Sequence, residues 1–426
     1  MLIHSASQLL TLTPDPQRGK QLGELGLIKN GAVLIQAEKF IEVGSTPDLL
    51  AAYPNEPRLN AANCVVMPGF IDAHTHLVWA GDRAAEFEMR LQGKSYLEIL
   101  TAGGGILSTV SATRKASLLD LKAQTRLRSH EMFRHGTTTT EAKSGYGLEL
   151  KSELQQLQVL LELDQEGPLE IHPTFLAAHA IPPEFTTNPQ DYTNQICQSM
   201  LPALKTWWSE HALHQKLPFV DVFCEKGAFT LLQTRQILTA AKAMGFPLKI
   251  HVDEFENLGG ATLAVELGAV SADHLVKTSL EDILIFGKST TVAVSLPCTP
   301  FGLAEPAYSP AHAILDANGI LAIASDLNPG TAWCGDMQFV LALACRSLRL
   351  TPAQAIAAAT INAAAAIQCS DWLGSIHAGK QADLLILNVP DYQQLGYRFG
   401  TNLVQTVIKR GHIYPVQAPK LKESTQ

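Results

Sequence analysis

Short apolar segments that end in polar or ionisable residues recur through the central part of the chain. Segments with a helical pattern, such as 117–135, 149–164 and 230–244, lie between several of them. Strands that alternate with helices in this way are typical of an α/β protein with a parallel (β/α)8 TIM barrel. The eight predicted strand segments are Val65 to His76, Thr137 to Gly147, Glu170 to His179, Phe219 to Lys226, Pro247 to Glu254, Ala269 to His274, Thr290 to Leu296 and Leu321 to Asn328.

Polar and ionisable side chains lie at or just past the ends of most of these segments. In a TIM barrel the chemistry takes place at the carboxyl ends of the strands, where such side chains converge. An open doubly wound sheet also alternates strands and helices, but it gives no reason for polar groups to converge from seven strand ends. The barrel is therefore favoured. The residues concerned are His74, His76, Tyr146, His179, Glu225, Lys226, His251, Glu254, His274, Asp326 and Asn328.

Both ends of the chain carry short apolar segments separated by Gly, Asn, Pro and Asp, a pattern that indicates antiparallel strands and turns. We expect residues 1–64 and 379–426 to form one small β-sandwich-like domain, and residues 65–378 to form the catalytic barrel. The predicted terminal strands lie in 26–28, 32–35, 40–43, 382–387 and 403–411.

Composition and charge indicate a globular protein and argue against several classes of partner. The chain has 426 residues, 46% of them hydrophobic and 17% charged, with a net charge of -8. Because no basic cluster is present, we expect no nucleic-acid partner. The amino terminus lacks the features of a signal peptide, and no apolar window approaches a membrane span of about 18 residues, so we expect a cytoplasmic protein. The seven cysteines are scattered without a Cys-x-x-Cys pair and are given no chemistry.

Residues 77–115 form a long segment between the first predicted strand and the next helix, and they include Gly103-Gly104-Gly105. The glycines follow no strand and fit no phosphate-binding template, so we predict a flexible loop over the barrel mouth. Arg83 lies in the same segment. Its planar guanidinium suits a substrate carboxylate, and a surface ion pair with Glu86 or Asp82 is the alternative.

His74 and His76 are two residues apart in an apolar segment, so on a strand both imidazoles point to one face and can bind one metal ion. Chance supplies roughly 0.5 such pairs in a chain with this histidine content, so the pair requires further ligands. His251 and Asp326 each follow an apolar run, and a buried aspartate needs a cation or several donors. Three imidazoles, one carboxylate and an open position for water make a catalytic metal site.

Several motifs resemble those of the metal-dependent amidohydrolase superfamily: Pro68-Gly69-Phe70-Ile71-Asp72-Ala73-His74-Thr75-His76, the later His251, His274 and Asp326, and residues 374–384. Longer segments are similar to the imidazolonepropionase family, which hydrolyses 4-imidazolone-5-propanoate to N-formimidoyl-L-glutamate in histidine degradation. The resemblance covers nearly the whole chain. The segments are 136–148, 175–180, 220–227, 251–255 and 325–331.

The resemblance implies a site and a cofactor. It implies one divalent or trivalent metal ion per subunit, zinc or iron, with His74, His76, His251 and Asp326 as metal ligands. It assigns proton transfer and carbonyl polarisation to Glu254, His274 and Asp326, and leaves open which is the base and which the acid. It also implies a homodimer. The substrate-binding residues that it implies are Arg83, Tyr146, His179, Glu254, Asn328, Gly330 and Thr331.

Two local features of the sequence have alternative interpretations. Some amidohydrolases carry a metal-bridging carboxylated lysine near the place of Lys226, but we interpret this lysine as structural or as an ion-pair partner of Glu225. Residues 207–218 look longer than the usual connection, and we expect His211 and His214 there to be solvated.

Two other functions are compatible with parts of the pattern. A deaminase of an aromatic base shares the ligand set, but Arg83 and Tyr146 favour a substrate with a carboxylate. A non-catalytic scaffold is disfavoured because every expected ligand position is filled.

Overall fold

The computed structural model describes residues 1–94, 98, 104–213 and 215–416. Its strands form two separate sheets, one built from both ends of the chain and one from its centre. The strands are β1 (Leu2–Leu10), β2 (Leu27–Gln36), β3 (Lys39–Ser45), β4 (Arg58–Asn60), β5 (Val65–Pro68), β6 (Phe70–Asp72), β7 (Thr137–Lys143), β8 (Glu170–Ala178), β9 (Phe219–Cys224), β10 (Lys249–Val252), β11 (Ser271–His274), β12 (Val292–Ser295), β13 (Ile320–Ile323), β14 (Leu384–Leu387), β15 (Val404–Lys409) and β16 (His412–Pro415).

The central sheet is the predicted barrel. Strands β6 to β13 pair in sequence order, and every pairing is parallel. A parallel bridge between Thr75 and Leu327 joins the chain just past β6 to the chain just past β13. The His76 amide donates to the Leu327 carbonyl at 2.9 Å, and the Asp326 amide donates to the His74 carbonyl at 3.0 Å. These bonds bring the two ends of the sheet together at the carboxyl end of the barrel.

The sheet of the termini has the strand order β16-β15-β14-β5-β1-β2-β3, with β4 pairing to β1. Strand β14 runs antiparallel to β5, and its Leu384 pairs with Pro68. The predicted segment from Val65 to His76 therefore contributes to both sheets, and the change occurs at Gly69. A Cβ at Gly69 would lie 2.3 Å from the Thr138 Oγ1, so the close approach of β7 requires a glycine here. The division into a terminal domain and a barrel domain at residue 65 stays a prediction.

Helices follow most barrel strands, and several helices of the chain begin at a side-chain cap. Ser117 and Thr230, for example, accept the amides of Asp120 and Gln233 at the starts of two long helices. None of the described helices combines the length and apolar character that crossing a bilayer requires. The α-helices are Thr46–Ala52, Ala84–Leu91, Ile106–Lys115, Leu118–Arg134, Leu150–Glu166, Pro189–Gln195, Leu201–His211, Leu231–Ala243, Gly260–Leu267, Leu280–Leu284, Cys298–Leu303, Ala311–Asp316, Met337–Ser347, Pro352–Ala358, Ile361–Ala365 and Gln393–Tyr397.

The fold class and all eight predicted barrel strands are confirmed. Strands β1, β4 and β16 were absent from the prediction. The predicted loop at 77–115 contains two helices, Ala84–Leu91 and Ile106–Lys115, so much of it is regular structure. Gly103 of the triple glycine lies outside the described residues, as do 95–97 and 99–102.

Candidate metal and active site

The four predicted metal ligands meet at the carboxyl end of the barrel. His74 and His76 lie just past β6, His251 lies in β10, and Asp326 lies just past β13. The His74 Nε2 and the His76 Nε2 each lie 3.5 Å from the Asp326 Oδ1. The His251 Nε2 lies 3.4 Å from the His76 Nε2. All four side chains are buried.

The spacing of these donor atoms fits one small cation. Ligands at about 2.1 Å in tetrahedral geometry lie about 3.4 Å from one another. The His74 Nε2 and the Asp326 Oδ1 are buried and have no hydrogen-bond partner among the described residues. Two overlapping sets of donors lie close enough for one ion, namely His74 with His76 and Asp326, and His74 with His251 and His274. His274 is therefore a fifth group within reach of an ion at this place.

The backbone at the site is held in an uncommon conformation. Asp326 and His274 have φ angles of 54° and 79°, in the left-handed region that residues with a side chain seldom adopt. Such conformations persist where the surrounding structure imposes them, and they cluster at functional sites. For Asp326 the barrel closure is the constraint, because its amide is bonded to the His74 carbonyl.

Two aspartates orient the ligand histidines from beneath. The His74 Nδ1 donates to the Asp273 Oδ2 at 2.6 Å. The His251 Nδ1 lies 3.0 Å from the Asp221 Oδ2. A carboxylate at Nδ1 leaves Nε2 as the free donor atom and fixes the ring, which raises its basicity as a ligand.

Lys143 connects these two aspartates. Its Nζ donates to the Glu141 Oε1 at 2.7 Å and to the Asp221 Oδ2 at 2.8 Å, and it lies 4.0 Å from the Asp273 Oδ2. Burial opposes the charge on this lysine, but the surrounding carboxylates outweigh burial and raise its pKa. The ammonium therefore stays charged inside the barrel.

Sequence reasoning assigned no role to Glu141, Lys143, Asp221 or Asp273. The feature that could have identified them is a charged residue inside a strand that is buried throughout, such as Thr137–Lys143. Buried charges require partners, so such residues indicate an internal network. The sequence gives no indication of which charges pair.

Burial keeps His74, His76, His179 and His274 neutral. Burial, with positive neighbours, lowers the pKa of His74, His76 and His274 well below the usual value. The pKa of His179 falls to about 3 for the same reason. Burial raises the pKa of Asp326 to about 6. Neutral imidazoles retain a lone pair for a metal ion, and a cation would offset the cost of the buried aspartate.

Tyr146 and His179 lie beside the metal ligands. The His179 ring stacks on His76, with centroids 4.7 Å apart, and its Nδ1 donates to the Gly145 carbonyl at 3.0 Å. The Tyr146 ring lies 5.8 Å from the His76 ring. Buried Glu153 holds the backbone around Tyr146, because its carboxylate accepts the amides of residues 145, 147 and 148 at 2.7 to 2.8 Å.

Glu254 and His274 face each other at the same end of the barrel. The Glu254 Oε2 lies 3.7 Å from the His274 Nε2. Burial, and then the Asp326 carboxylate, raise the pKa of Glu254 well above its usual value. The structure thus brings together the three groups that were predicted to handle protons.

Arg83 is engaged by Glu86, which was the alternative partner. The Arg83 Nε donates to the Glu86 Oε2 at 2.8 Å, and its Nη2 donates to the Glu86 Oε1. Arg83 nevertheless lines a cavity of about 620 Å³ with Gly330 and Thr331. A Cβ at Gly330 would lie 2.2 Å from the Arg83 Nη1, so this position accepts no larger residue without displacing the guanidinium.

Asn328 organises the loop that carries Gly330 and Thr331. Its Oδ1 accepts the amides of these two residues at 2.8 Å. Its Nδ2 donates to the Asp326 carbonyl at 2.7 Å and to the Thr331 Oγ1 at 2.9 Å. Asn328 therefore shapes the wall of the site in this structure.

Lys226 does not pair with Glu225. Its side chain is 72% exposed, and its Nζ lies 2.6 Å from the Glu256 Oε1. Glu225 is buried and instead accepts backbone amides, including that of Phe255 at 2.9 Å. The interpretation of Lys226 as a partner of Glu225 is wrong, because the lysine points outward while Glu225 caps the chain after β10.

His211 and a second cavity lie away from the barrel mouth. His211 is exposed and stacks on Trp207, with centroids 4.5 Å apart, whereas His214 lies outside the described residues. A second cavity, of about 800 Å³, is lined by Glu170, His172 and Cys369. It lies where β8 and β9 begin, so it is remote from the carboxyl ends where barrel chemistry takes place.

Comparison with known proteins gives concordant matches. Residues 65–414 match the Amidohydrolase family. The chain is 50% identical over 412 residues to an imidazolonepropionase from Herpetosiphon aurantiacus, covering 97% of this chain and 96% of that protein. It is 44% identical to an imidazolonepropionase from Chloroflexus aggregans, with coverage of 97% and 98%.

Solved structures match at the level of the fold. A zinc-bound adenosine deaminase from Xanthomonas campestris superposes with a TM-score of 0.70 at 19% identity, covering 97% of this chain and 92% of that one. A triazine hydrolase variant superposes with a TM-score of 0.76 at 14% identity, covering 98% and 96%.

Proposed function

The chain belongs to the amidohydrolase family and, within it, to the imidazolonepropionases, and from this we propose how its residues perform the reaction. The reaction is hydrolysis of the ring C–N bond of 4-imidazolone-5-propanoate to N-formimidoyl-L-glutamate, a step of histidine degradation. The observation that carries the proposal is the convergence of His74, His76, His251 and Asp326 on one point at the barrel mouth.

We propose that these four residues hold one divalent zinc or iron ion. The donor spacing and the two buried atoms without partners support this assignment. When bound, such an ion lowers the pKa of water to about 7 and so supplies a nucleophile at neutral pH. Asp273 and Asp221 keep the rings of His74 and His251 in the orientation that ligation requires.

We assign the proton-transfer roles from the positions of three side chains at the barrel mouth. Asp326 and Glu254 line the two sides of the mouth and are the carboxylates available to accept and return a proton. His274 lies 3.7 Å from Glu254 and is neutral, so its N–H can donate to a carbonyl oxygen that gains negative charge.

Substrate recognition requires a cation for the propanoate and polar groups for the ring. We propose that Arg83 binds the carboxylate and that Tyr146 and His179 contact the ring. Gly330 and Thr331 form the adjoining wall, which Asn328 shapes, and Asn328 and Glu254 complete the set of substrate-binding residues. A cytoplasmic location and a homodimer remain expectations that accompany this proposal.

The test follows consumption of 4-imidazolone-5-propanoate by the purified protein, with metal content measured on the same sample. We expect turnover that a chelator abolishes and that added zinc or iron restores. His251→Ala should remove both metal and activity, whereas the exposed His211→Ala should retain both. Metal-loaded protein that fails to turn over this substrate refutes the proposal, and retained activity in His251→Ala refutes the ligand assignment.

A further inference from the structure

Glu86 is a buried acidic residue that the reaction described above does not use. It lies in the helix Ala84–Leu91, three residues after Arg83, and only 7% of its surface is exposed. An acidic residue on a short helix is ordinarily solvated, so its burial against the substrate pocket calls for an explanation.

The carboxylate of Glu86 is bound on both oxygens. The Arg83 Nε donates to its Oε2 at 2.8 Å, and the Arg83 Nη2 donates to its Oε1. The Gly105 amide also donates to the Oε2, at 2.8 Å. One side chain therefore ties the guanidinium to the start of the helix Ile106–Lys115.

This pairing leaves one edge of the guanidinium free. Arginine carries five N–H donors, and Glu86 takes one on Nε and one on Nη2. The remaining donors, two on Nη1 and one on Nη2, form the end of the fork. A second carboxylate can bind this end without displacing Glu86.

The surroundings of Nη1 place the free end at the cavity that the proposed function assigns to the substrate carboxylate. Nη1 lies against Gly330, and both residues line the cavity of about 620 Å³. Arg90, one helical turn past Glu86, donates from its Nη2 to the Gly330 carbonyl at 2.8 Å. The helix and the loop after β13 are thereby fixed relative to each other on both sides of the guanidinium.

We infer that Glu86 is a positioning residue that orients Arg83 so that the free end of its guanidinium meets the substrate carboxylate. The inference rests on the proposed function. Glu86 is not a competitor for the substrate, since it occupies a different edge of the guanidinium. Glu86 also stays ionised. Burial raises the pKa of its carboxyl group, but the hydrogen bonds from Arg83 and Gly105 outweigh burial, so the pKa is lowered overall.

The test compares Glu86→Gln with Glu88→Gln, an exposed position on the same helix. A glutamine keeps the size of Glu86 but turns an amide toward the guanidinium. We expect the KM of Glu86→Gln to rise about 10-fold, as for a lost charge-assisted contact, while kcat stays within about 2-fold. Glu88→Gln should match the wild type. An unchanged or lower KM in Glu86→Gln overturns the inference.

A double-mutant cycle separates positioning from a structural role. In an Arg83→Met background, Glu86→Gln should raise KM no further, because its effect passes through Arg83. Additive effects overturn the inference, as does a fall in metal content or melting temperature that accounts for the change in Glu86→Gln. If the wild type turns over the substrate and Glu86→Gln has the same KM, only this inference is refuted. If the wild type does not turn over the substrate, the proposed function is refuted.

Discussion

Replacing Lys143 by methionine tests whether the buried charge network supports the site. Methionine is similar in length and can fill the same space, so the main change is loss of the ammonium. The side chain has no exposed surface, and its Nζ lies 2.7 Å from Glu141, 2.8 Å from Asp221 and 4.0 Å from Asp273. The substitution therefore leaves three buried carboxylates without their shared counter-ion.

The expected cost can be converted to a melting temperature. Breaking a buried ion pair by removing one partner costs about 3–5 kcal/mol. Unfolding entropy is about 2.1 cal/mol/K per residue, which over 426 residues gives about 0.9 kcal/mol/K. Lys143→Met should therefore melt about 3–6 °C below the wild type.

Calorimetry at one scan rate provides the measurement, with Lys226→Met as the matched control. Lys226 is 72% exposed and pairs with Glu256 at the surface, where such a bridge contributes at most about 1 kcal/mol. The control should melt within about 1 °C of the wild type. If Lys143→Met also melts within that interval, the network does not stabilise the fold and the reasoning is refuted.

Three further outcomes are expected. Asp273→Asn should weaken metal affinity about 10-fold to 100-fold, as measured by competition with a chromogenic chelator, because His74 loses its orienting carboxylate; unchanged affinity contradicts this role. Gly330→Ala should raise KM with metal content unchanged, since the added Cβ would lie 2.2 Å from the Arg83 Nη1; a wild-type KM contradicts the close approach. The hydrogen bond from His135 to Asp336 raises the pKa of the histidine, so its stabilising contribution is complete below about pH 6.5 and is lost as pH rises through the folded-state pKa. An NMR titration that gives a pKa at or below 6.5 contradicts the last prediction.

The barrel could be predicted because its strands are buried on both faces. Such strands appear in the sequence as continuous apolar segments, and the polar residues that end them mark the carboxyl ends. Hydropathy could not show that Val65–Pro68 leaves the barrel for the sheet of the termini, because β5 and β6 form one run that is buried throughout and apolar as far as Ile71. Gly69, which β7 approaches closely, is the only interruption between them.

The convergence of the four candidate ligands could be predicted because each lies at or near the carboxyl end of a barrel strand, whereas the network beneath them could not. Lys143, Asp221 and Asp273 come from three different strands, and their pairing depends on the order of those strands around the barrel. The partner of Arg83 was also open, since spacing alone allowed Glu86 or a substrate. The structure shows that the two roles are compatible, because Glu86 takes only one edge of the guanidinium.

The balance of charge beneath the barrel mouth supports a divalent ion at the proposed site. Four carboxylates contact the ligand histidines or Lys143, namely Glu141, Asp221, Asp273 and Asp326, whereas two ammonium groups, Lys143 and Lys249, lie among them. With these groups ionised, their formal charges sum to -4 + 2 = -2. Uncompensated charge is costly in a buried site, and the neutral histidines contribute none. A divalent cation held by the candidate ligands would bring the cluster to neutrality, whereas removal of Lys143 would leave it at -1 even with the metal bound. Lys143 and such an ion would therefore neutralise the same group of buried carboxylates.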